Sequence, residues 1–430
     1  MKIAGIIAEY NPFHTGHAYH IQKTRKITDA DFVITVISGD FVQRGGPAFL
    51  SKHQRTRMAL LGGADLVFEL PATHSCESAE FFARSGVELL HGLGCVDVLS
   101  FGSECGDIRP FQVLGTYLAD EPDVFRTLLQ EKLKSGLSFP AARRNALSEL
   151  LSGEKSIPDL TAFLSSPNNI LGIEYCKALH RLNSPIQPVT LLREGNGYHE
   201  KSLGREFPSA SAVRNFCLSL TAAENPPKQD PVASKLSHAA DTPAIDQLSG
   251  CFPPEVFSYL QSEHLLRYTV TEQDFSLLLR WLVMSSDAEN LSSYLDLSPD
   301  LANRMIHAAE KYENFSQFIS LIKTKELTYS RICRALFHAL LDIRSVPSLP
   351  YARLLGFRKS AAPVLTRIKE MGTLPLITKL ADAPSILDEK GISLLNHNTR
   401  ISNLYETILC EKTHKTFVHE YSKPLVILPS

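Results

Sequence analysis

Four short apolar runs within the first 103 residues restrict the fold of this 430-residue chain more than any other feature. They are IAGIIA (3–8), FVITVIS (32–38), DLVFEL (65–70) and VDVLSFGS (96–103). Each is rich in β-branched residues, and none alternates polar with apolar positions. A strand that is apolar throughout has no solvated face, so it belongs in a parallel sheet covered on both sides. Between the runs lie amphipathic stretches, KHQRTRMALLGG (52–63) and ESAEFFARSGVELLHGLG (77–94), whose closing glycines stand where helices end. That order predicts a doubly wound, Rossmann-like α/β domain. A later run, VTLLRE (189–194), adds a fifth strand.

The chain is long for one core, and its character changes twice. Residues 1–220 carry the α/β pattern. Residues 221–250 are rich in Pro, Ala, Ser and Asp and poor in large apolar side chains, which predicts a linker or insertion. Beyond them EQDFSLLLRWLVMS, SPDLANRMIHAAEKY and FSQFISLIK have helical periodicity, so 251–430 is expected to be a mainly α-helical domain. A net charge of −2 excludes a uniformly basic nucleic-acid coat, yet from residue 300 onward Lys and Arg exceed Asp and Glu by six. The eight cysteines form no CxxC pair and read as reduced core residues. The first apolar run is broken by Glu9, unlike a signal peptide, and no segment reaches the roughly 20 apolar residues of a membrane span. The expectation is a soluble cytoplasmic protein with no membrane partner.

The first run ends in AEYNPFHTGH (8–17). In an open α/β sheet the end of the first strand and the start of the next helix meet at the ligand crevice. Gly16 lets a phosphate approach the backbone, while His14 and His17 can donate to phosphate oxygens whose charge grows as pyrophosphate departs. Such a site suits nucleotidyl transfer, where positioning and charge stabilisation suffice without a covalent nucleophile. Two other readings compete: His14, His17 and His20 as structural polar residues, or as metal ligands at a spacing of three. No cysteine or carboxylate cluster with ligand spacing lies nearby, and Glu9 alone does not make one, so no metal site is expected.

Three further segments carry chemistry. SASAVR (209–214) is a hydroxyl-rich turn into a helix closed by an arginine, and Ser211 with Arg214 makes a second anion cradle. IKTKELTYSRICRALF (322–337) gathers Lys323, Lys325, Arg331 and Arg334 around Tyr329, enough to hold RNA phosphates and stack a base. A solvated charged face is the competing reading. In the loop GDFVQRGGPA (39–48), Asp40, Gln43 and Arg44 are candidates to face a small substrate.

HTGH resembles the (T/H)xGH signature of the nucleotidyltransferase superfamily that includes class I aminoacyl-tRNA synthetases and pantetheine-phosphate adenylyltransferase. GIIAEYNPFHTGHAYHI (5–21), SGDFVQRGGPAFLSKHQRTRMALLGGADLVFELP (38–71), LSFGSE (99–104), SPNNILGIEYCKAL (166–179) and LLREGNGYHE (191–200), in that order, resemble the bacterial tRNA(Met) cytidine acetate ligase family. The resemblance implies that ATP activates acetate as acetyl-adenylate with release of pyrophosphate. The acetyl group then passes to N4 of the wobble cytidine of elongator tRNA(Met), giving N4-acetylcytidine. It places an ATP segment on Ile7, Ala8, Glu9, Tyr10, Asn11, Pro12, Phe13, His14, Thr15, Gly16, His17, Ala18, Tyr19 and His20. Further ATP contacts fall on Gly102, Asn168 and Arg193. Gly102, at a strand end, leaves room for an adenine ring; Asn168 can pair with a base edge or ribose; Arg193 can fork onto a phosphate or carboxylate. SASAVR resembles the ISSTxIR-type loop of related adenylyltransferases, with Pro208 where that loop has Ile. The sequence carries no signature for Mg2+, although chemistry on ATP accommodates it. Two other functions fit the residues: a small-metabolite adenylyltransferase and a non-catalytic RNA-binding factor.

Overall fold

The computed structural model describes residues 1–151, 159–193, 209–224, 246–324 and 327–429. Most of the expected linker at 221–250, and Lys325, lie outside the described residues. All five expected strands form: β1 (Ile3–Ala8), β2 (Phe32–Ser38), β3 (Leu66–Leu70), β4 (Val98–Ser103) and β5 (Gln187–Leu192). They pair in parallel in the order β5-β4-β1-β2-β3. The chain moves outward from β1 through β2 to β3, then returns across β1 to β4 and β5. This reversal opens a crevice beyond the C-terminal ends of β1 and β4.

Alternation along β1 shows why the run has to be apolar throughout. Ile3 and Ile7 pack with Val87 and Leu90 in one core layer, whereas Ile6 packs with Phe13, Ile21 and Met58 in the other. Helices α1 (Thr15–Thr28), α2 (Lys52–Leu61), α3 (Ala79–Gly92) and α4 (Pro167–Arg181) cover the two faces. The approach of α3 is close: a Cβ at Gly5 would stand 2.8 Å from Leu90 Cδ1.

The rest of the chain is mainly helical, as expected. Helices α5 (Ala210–Glu224), α6 (Ser276–Ser285), α7 (Pro299–Ala308), α8 (Phe315–Ile322), α9 (Tyr329–Leu340) and α10 (Glu389–Thr413) follow in order. Phe275, Leu279, Met305, Phe318, Phe337 and Tyr405 form part of a second core. Three strands from this half nevertheless extend the sheet. β6 (Ala352–Arg358) runs antiparallel to β3, and β7 (Leu376–Ile377) and β8 (Val426–Leu428) run parallel to β6.

ARLLGFR gives no strand signal by itself, because arginines flank it and a glycine interrupts it. Buried ion pairs answer that difficulty. Arg353 donates to Glu69 Oε2 on β3 at 2.8 Å and to Glu420 Oε1 at 2.6 Å. Lys52 Nζ lies 2.7 Å from Glu69 and 2.9 Å from Glu420. Buried charges persist only when each finds a partner, and here the pairing joins α2, β3, β6 and the C-terminal segment. β6 also covers an edge of β3 that would otherwise be open.

Candidate active site

The turn between β1 and α1 is fixed from several sides. Phe13 and Tyr10 are buried beneath it, and Phe49 N–H donates to Asn11 Oδ1 at 2.7 Å. The fully buried Arg55 donates to the carbonyls of Glu9 (2.7 Å), Ser38 (2.9 Å) and Leu50 (2.9 Å), and also to that of Gly39. One guanidinium thereby ties the ends of β1 and β2 together. Ile7 and Ala8 complete β1, Glu9 through His14 form the turn, and Thr15 through His20 open α1. Glu9 Oε1 accepts Gln43 N–H at 3.0 Å, which draws the 39–48 loop to the rim.

His14 is the N-cap of α1 and His17 its third residue, and together they make a reciprocal capping box. Gly16 N–H donates to His14 Nδ1 at 3.1 Å, and His14 N–H donates to His17 Nδ1 at 3.2 Å. The rings stack with centroids 3.7 Å apart. Because each Nδ1 accepts from a backbone amide, the proton of each neutral ring sits on Nε2. Burial, followed by the charges of Arg193 and Arg214, pushes His14 down to about 3. Burial, then His14, Arg193 and His20, holds His17 well below its ordinary range. Burial and Arg193 bring His20 to about 4. His20 Nε2 is 3.1 Å from Ser100 Oγ on β4. The histidines are therefore neutral hydrogen-bond donors at neutral pH, and the cations that flank them are arginines.

Those arginines come from the other expected segments. Arg193 follows β5, and its stem crosses Gly102: a Cβ there would stand 3.2 Å from Arg193 Cγ. The missing side chain at Gly102 leaves room for the Arg193 stem. Asn168, in the first turn of α4, donates to Glu104 Oε1 at 2.6 Å, beyond the end of β4. At the start of α5, Arg214 donates to Asn11 O at 2.5 Å and to Ser211 Oγ at 3.1 Å. SASAVR is thus fastened to the strand-one turn. The structure brings together the ends of β1, β4 and β5 and the starts of α1, α4 and α5.

The other candidates separate. Asp40 is buried, with Lys52 N–H donating to it at 2.9 Å and Lys52 Nζ 3.6 Å away, so its carboxylate is engaged in the ion network. Arg44 is exposed and Gln43 partly so. Lys323 and Arg331 are exposed, as is Tyr329. Arg334 differs from its neighbours on α9: it donates to Asp296 at 2.8 Å and is 12% exposed. It also lies under the 39–48 loop, where Gly45, at φ 77°, has its would-be Cβ 2.3 Å from Arg334 N. Phe41 of that loop enters the helical core, 5.7 Å from Phe337 and 5.6 Å from Phe275.

Two contributors had no visible signal in the sequence. Arg55 read only as one cation on an amphipathic helix. Glu272, far along the chain, lies against the loop, 3.0 Å from a would-be Cβ on Gly46. Burial raises its carboxyl, and Arg214 partly offsets that rise. Burial, followed by Cys333 and then Glu272, raises the Tyr329 hydroxyl at the start of α9. Among the described residues no three His, Cys, Asp or Glu side chains are grouped to hold a metal ion, and no helix is long and apolar enough to cross a membrane.

A family model described as HIGH Nucleotidyl Transferase matches residues 1–420. The chain is 39% identical over 422 residues to a tRNA(Met) cytidine acetate ligase of Clostridium kluyveri, covering 94% of this chain and 98% of that protein. It is 37% identical over 439 residues to the Acetivibrio thermocellus protein of the same name, covering 100% of both. The chain belongs to the tRNA(Met) cytidine acetate ligase family. Solved structures agree with this membership in the tRNA(Met) cytidine acetate ligases. Apo Thermotoga maritima TmcAL superposes with a TM-score of 0.89 at 26% identity over 100% of both chains. The same protein bound with alpha-thio ATP gives 0.87, also over 100% of both.

Proposed function

We propose that this protein uses ATP to activate acetate as acetyl-adenylate and transfers the acetyl group to N4 of the wobble cytidine of elongator tRNA(Met). The observation that carries this reading is the convergence of His14, His17, Arg193 and Arg214 on one crevice at the strand reversal. In the first step an acetate oxygen attacks the α-phosphorus of ATP and the bond to pyrophosphate breaks. The Nε2–H groups of His14 and His17 donate to phosphate oxygens as negative charge builds on them, and being neutral and buried they need no reorganisation. Arg193 and Arg214 hold the polyphosphate from either side, Ser211 orients Arg214, and Asn168 with the edge at Gly102 receives the nucleoside. Residues Ile7 to His20 supply the backbone cradle. Any Mg2+ the reaction uses arrives on the triphosphate.

In the second step the cytidine amine attacks the acetyl carbonyl, AMP leaves, and the amine gives up one proton. The exposed Lys323, Arg331 and Tyr329 are the surface proposed to receive the anticodon region, with Lys325 beside them in the sequence, while Arg334, paired with Asp296, holds the start of α9 against the 39–48 loop. Purified protein incubated with ATP, acetate and tRNA(Met) should release pyrophosphate and yield N4-acetylcytidine by nucleoside mass spectrometry. Pyrophosphate release that ignores acetate and requires a phosphorylated metabolite would instead identify an adenylyltransferase.

A further inference from the structure

A groove of about 560 Å³ lies outside the crevice, between α7 and α8. Asp300, Asn303, Arg304, His307, Lys311 and Leu321 line it. Arg304 and His307 are three apart on α7 and so share a face, and Lys311 follows in the single 3-10 turn Ala309–Lys311, lining the same groove. All three are exposed, and no ion pair between described residues uses Arg304 or Lys311. Exposed cations free of ion pairs are what a polyanion needs, and Asp300, four residues before Arg304, is the one acidic side chain in the lining.

The direction of the groove is informative. At its Lys311 end, Gln317 Nε2 donates to Lys311 O at 2.9 Å, and Gln273 Nε2 donates to Ser316 Oγ at 2.8 Å. Ser276 Oγ donates to Tyr312 OH at 3.4 Å. This end therefore abuts the Glu272–Phe275 turn, whose Glu272 feels Arg214 of the crevice. From there the lining runs back along α7 to Asp300 and along α8 to Leu321, two residues before Lys323. The acidic Asp300 sets the outer limit of a track for phosphates.

We propose that this groove is a phosphate-backbone track for tRNA, in which Arg304 and Lys311 each engage a backbone phosphate and His307 donates between them. The proposal rests on the ligase reading and deepens it: a wobble base in the crevice sends its stem outward along α7. Arg304 and Lys311 touch neither ATP nor acetate. Contacts of this kind are independent of sequence and release counterions.

The test is direct binding of unmodified tRNA(Met) transcript to full-length R304A/K311A across a salt series, beside wild type and the charge-preserving R304K/K311R. R304A/K311A should bind about tenfold or more weakly near physiological salt. Its log–log salt slope should be shallower by roughly 1.4 to 1.8, two contacts at about 0.7 to 0.9 each. R304K/K311R should bind like wild type, and acetate-dependent ATP–pyrophosphate exchange should be equal in all three. Unchanged affinity and slope in R304A/K311A would overturn the track, as would a change in oligomeric state without a change in RNA affinity. Binding through the groove by a wild-type protein that never acetylates the RNA would sink the ligase reading and leave the track standing.

Discussion

The crevice and the helical surface both receive phosphates on this reading, but they are built on opposite principles. In the crevice the donors are buried and neutral, and each imidazole is locked by a backbone amide on Nδ1. On α7 and α9 the groups are exposed cations on long, mobile stems, with water around them. The first arrangement fixes geometry and loses little to salt, because nothing mobile screens a buried site. The second gives reach and on-rate but little precision. Bond-making wants the former, and gripping a long polyanion wants the latter.

The largest effect should come from breaking the crevice. His17→Ala removes one preorganised donor and should cost about 2.7–4 kcal/mol in the activation step, or 10²–10³-fold in ATP–pyrophosphate exchange. The same change removes the acceptor for His14 N–H, so helix α1 should also lose about 0.5–2 kcal/mol of capping. Thermal unfolding of the variant separates these losses, and near-normal exchange in folded His17→Ala would remove the assigned role. Next in size is Arg193→Ala, which should weaken ATP binding by about 1.5–3 kcal/mol, the range for a hydrogen bond to a charged group. Calorimetry with ATP checks it, and tRNA affinity should stay level. Asn168→Ala should follow in the same direction with a smaller loss.

The two regions also differed in how much the sequence revealed. Strands β1 to β4 were legible because both faces of each are covered, so nearly every position had to be apolar, whereas the half-exposed edge strand β5 showed only as the short run VTLLRE. His14 and His17 were legible because the motif is local: cap, amide and ring lie within four residues. Arg55 was not, since its partners are carbonyls on three separate segments that only the fold assembles. β6 was hidden for a related reason: its arginine is tolerable only beside Glu69 and Glu420, 284 and 67 residues away. The basic segment on α9 was legible as composition but not as orientation, and this is where Arg334 parts from Arg331.

A third test uses acid to sharpen the contrast between buried and exposed histidines. His14 and the fully buried His74 titrate at about 3 and about 4, chiefly because burial disfavours the imidazolium, against an ordinary 6.5. Since the folded values are depressed, the unfolded chain takes up protons first as pH falls below 6.5. Stability is therefore complete above about 6.5 and is lost toward pH 3–4. Each such histidine should cost about 2 kcal/mol by pH 5, at about 1.36 kcal/mol per unit. Denaturant titrations between pH 7 and 5 should show this slope, and His14→Gln should flatten it. An identical slope in that variant would mean that His14 is not held neutral by the fold.

The smallest expected effect discriminates most finely, because it compares two arginines three residues apart on one helix. Arg331 is exposed at the start of α9, whereas Arg334 is paired with Asp296 and packed under Gly45. Arg331→Ala should leave unfolding unchanged, weaken tRNA binding only a few-fold, and make the salt slope shallower by about 0.7 to 0.9. Lys323→Ala should behave alike, because it too keeps its charge in water. Arg334→Ala should do the reverse: Asp296 loses its partner, the 39–48 loop loses its seat, and unfolding moves to lower temperature while the salt slope stays where it was. If both arginines shift the slope equally, Arg334 leaves its ion pair to meet RNA, and the helical region is remodelled on binding. If neither does, the grip on tRNA lies wholly at the α7 groove, and α9 serves only to hold the 39–48 loop at the crevice rim.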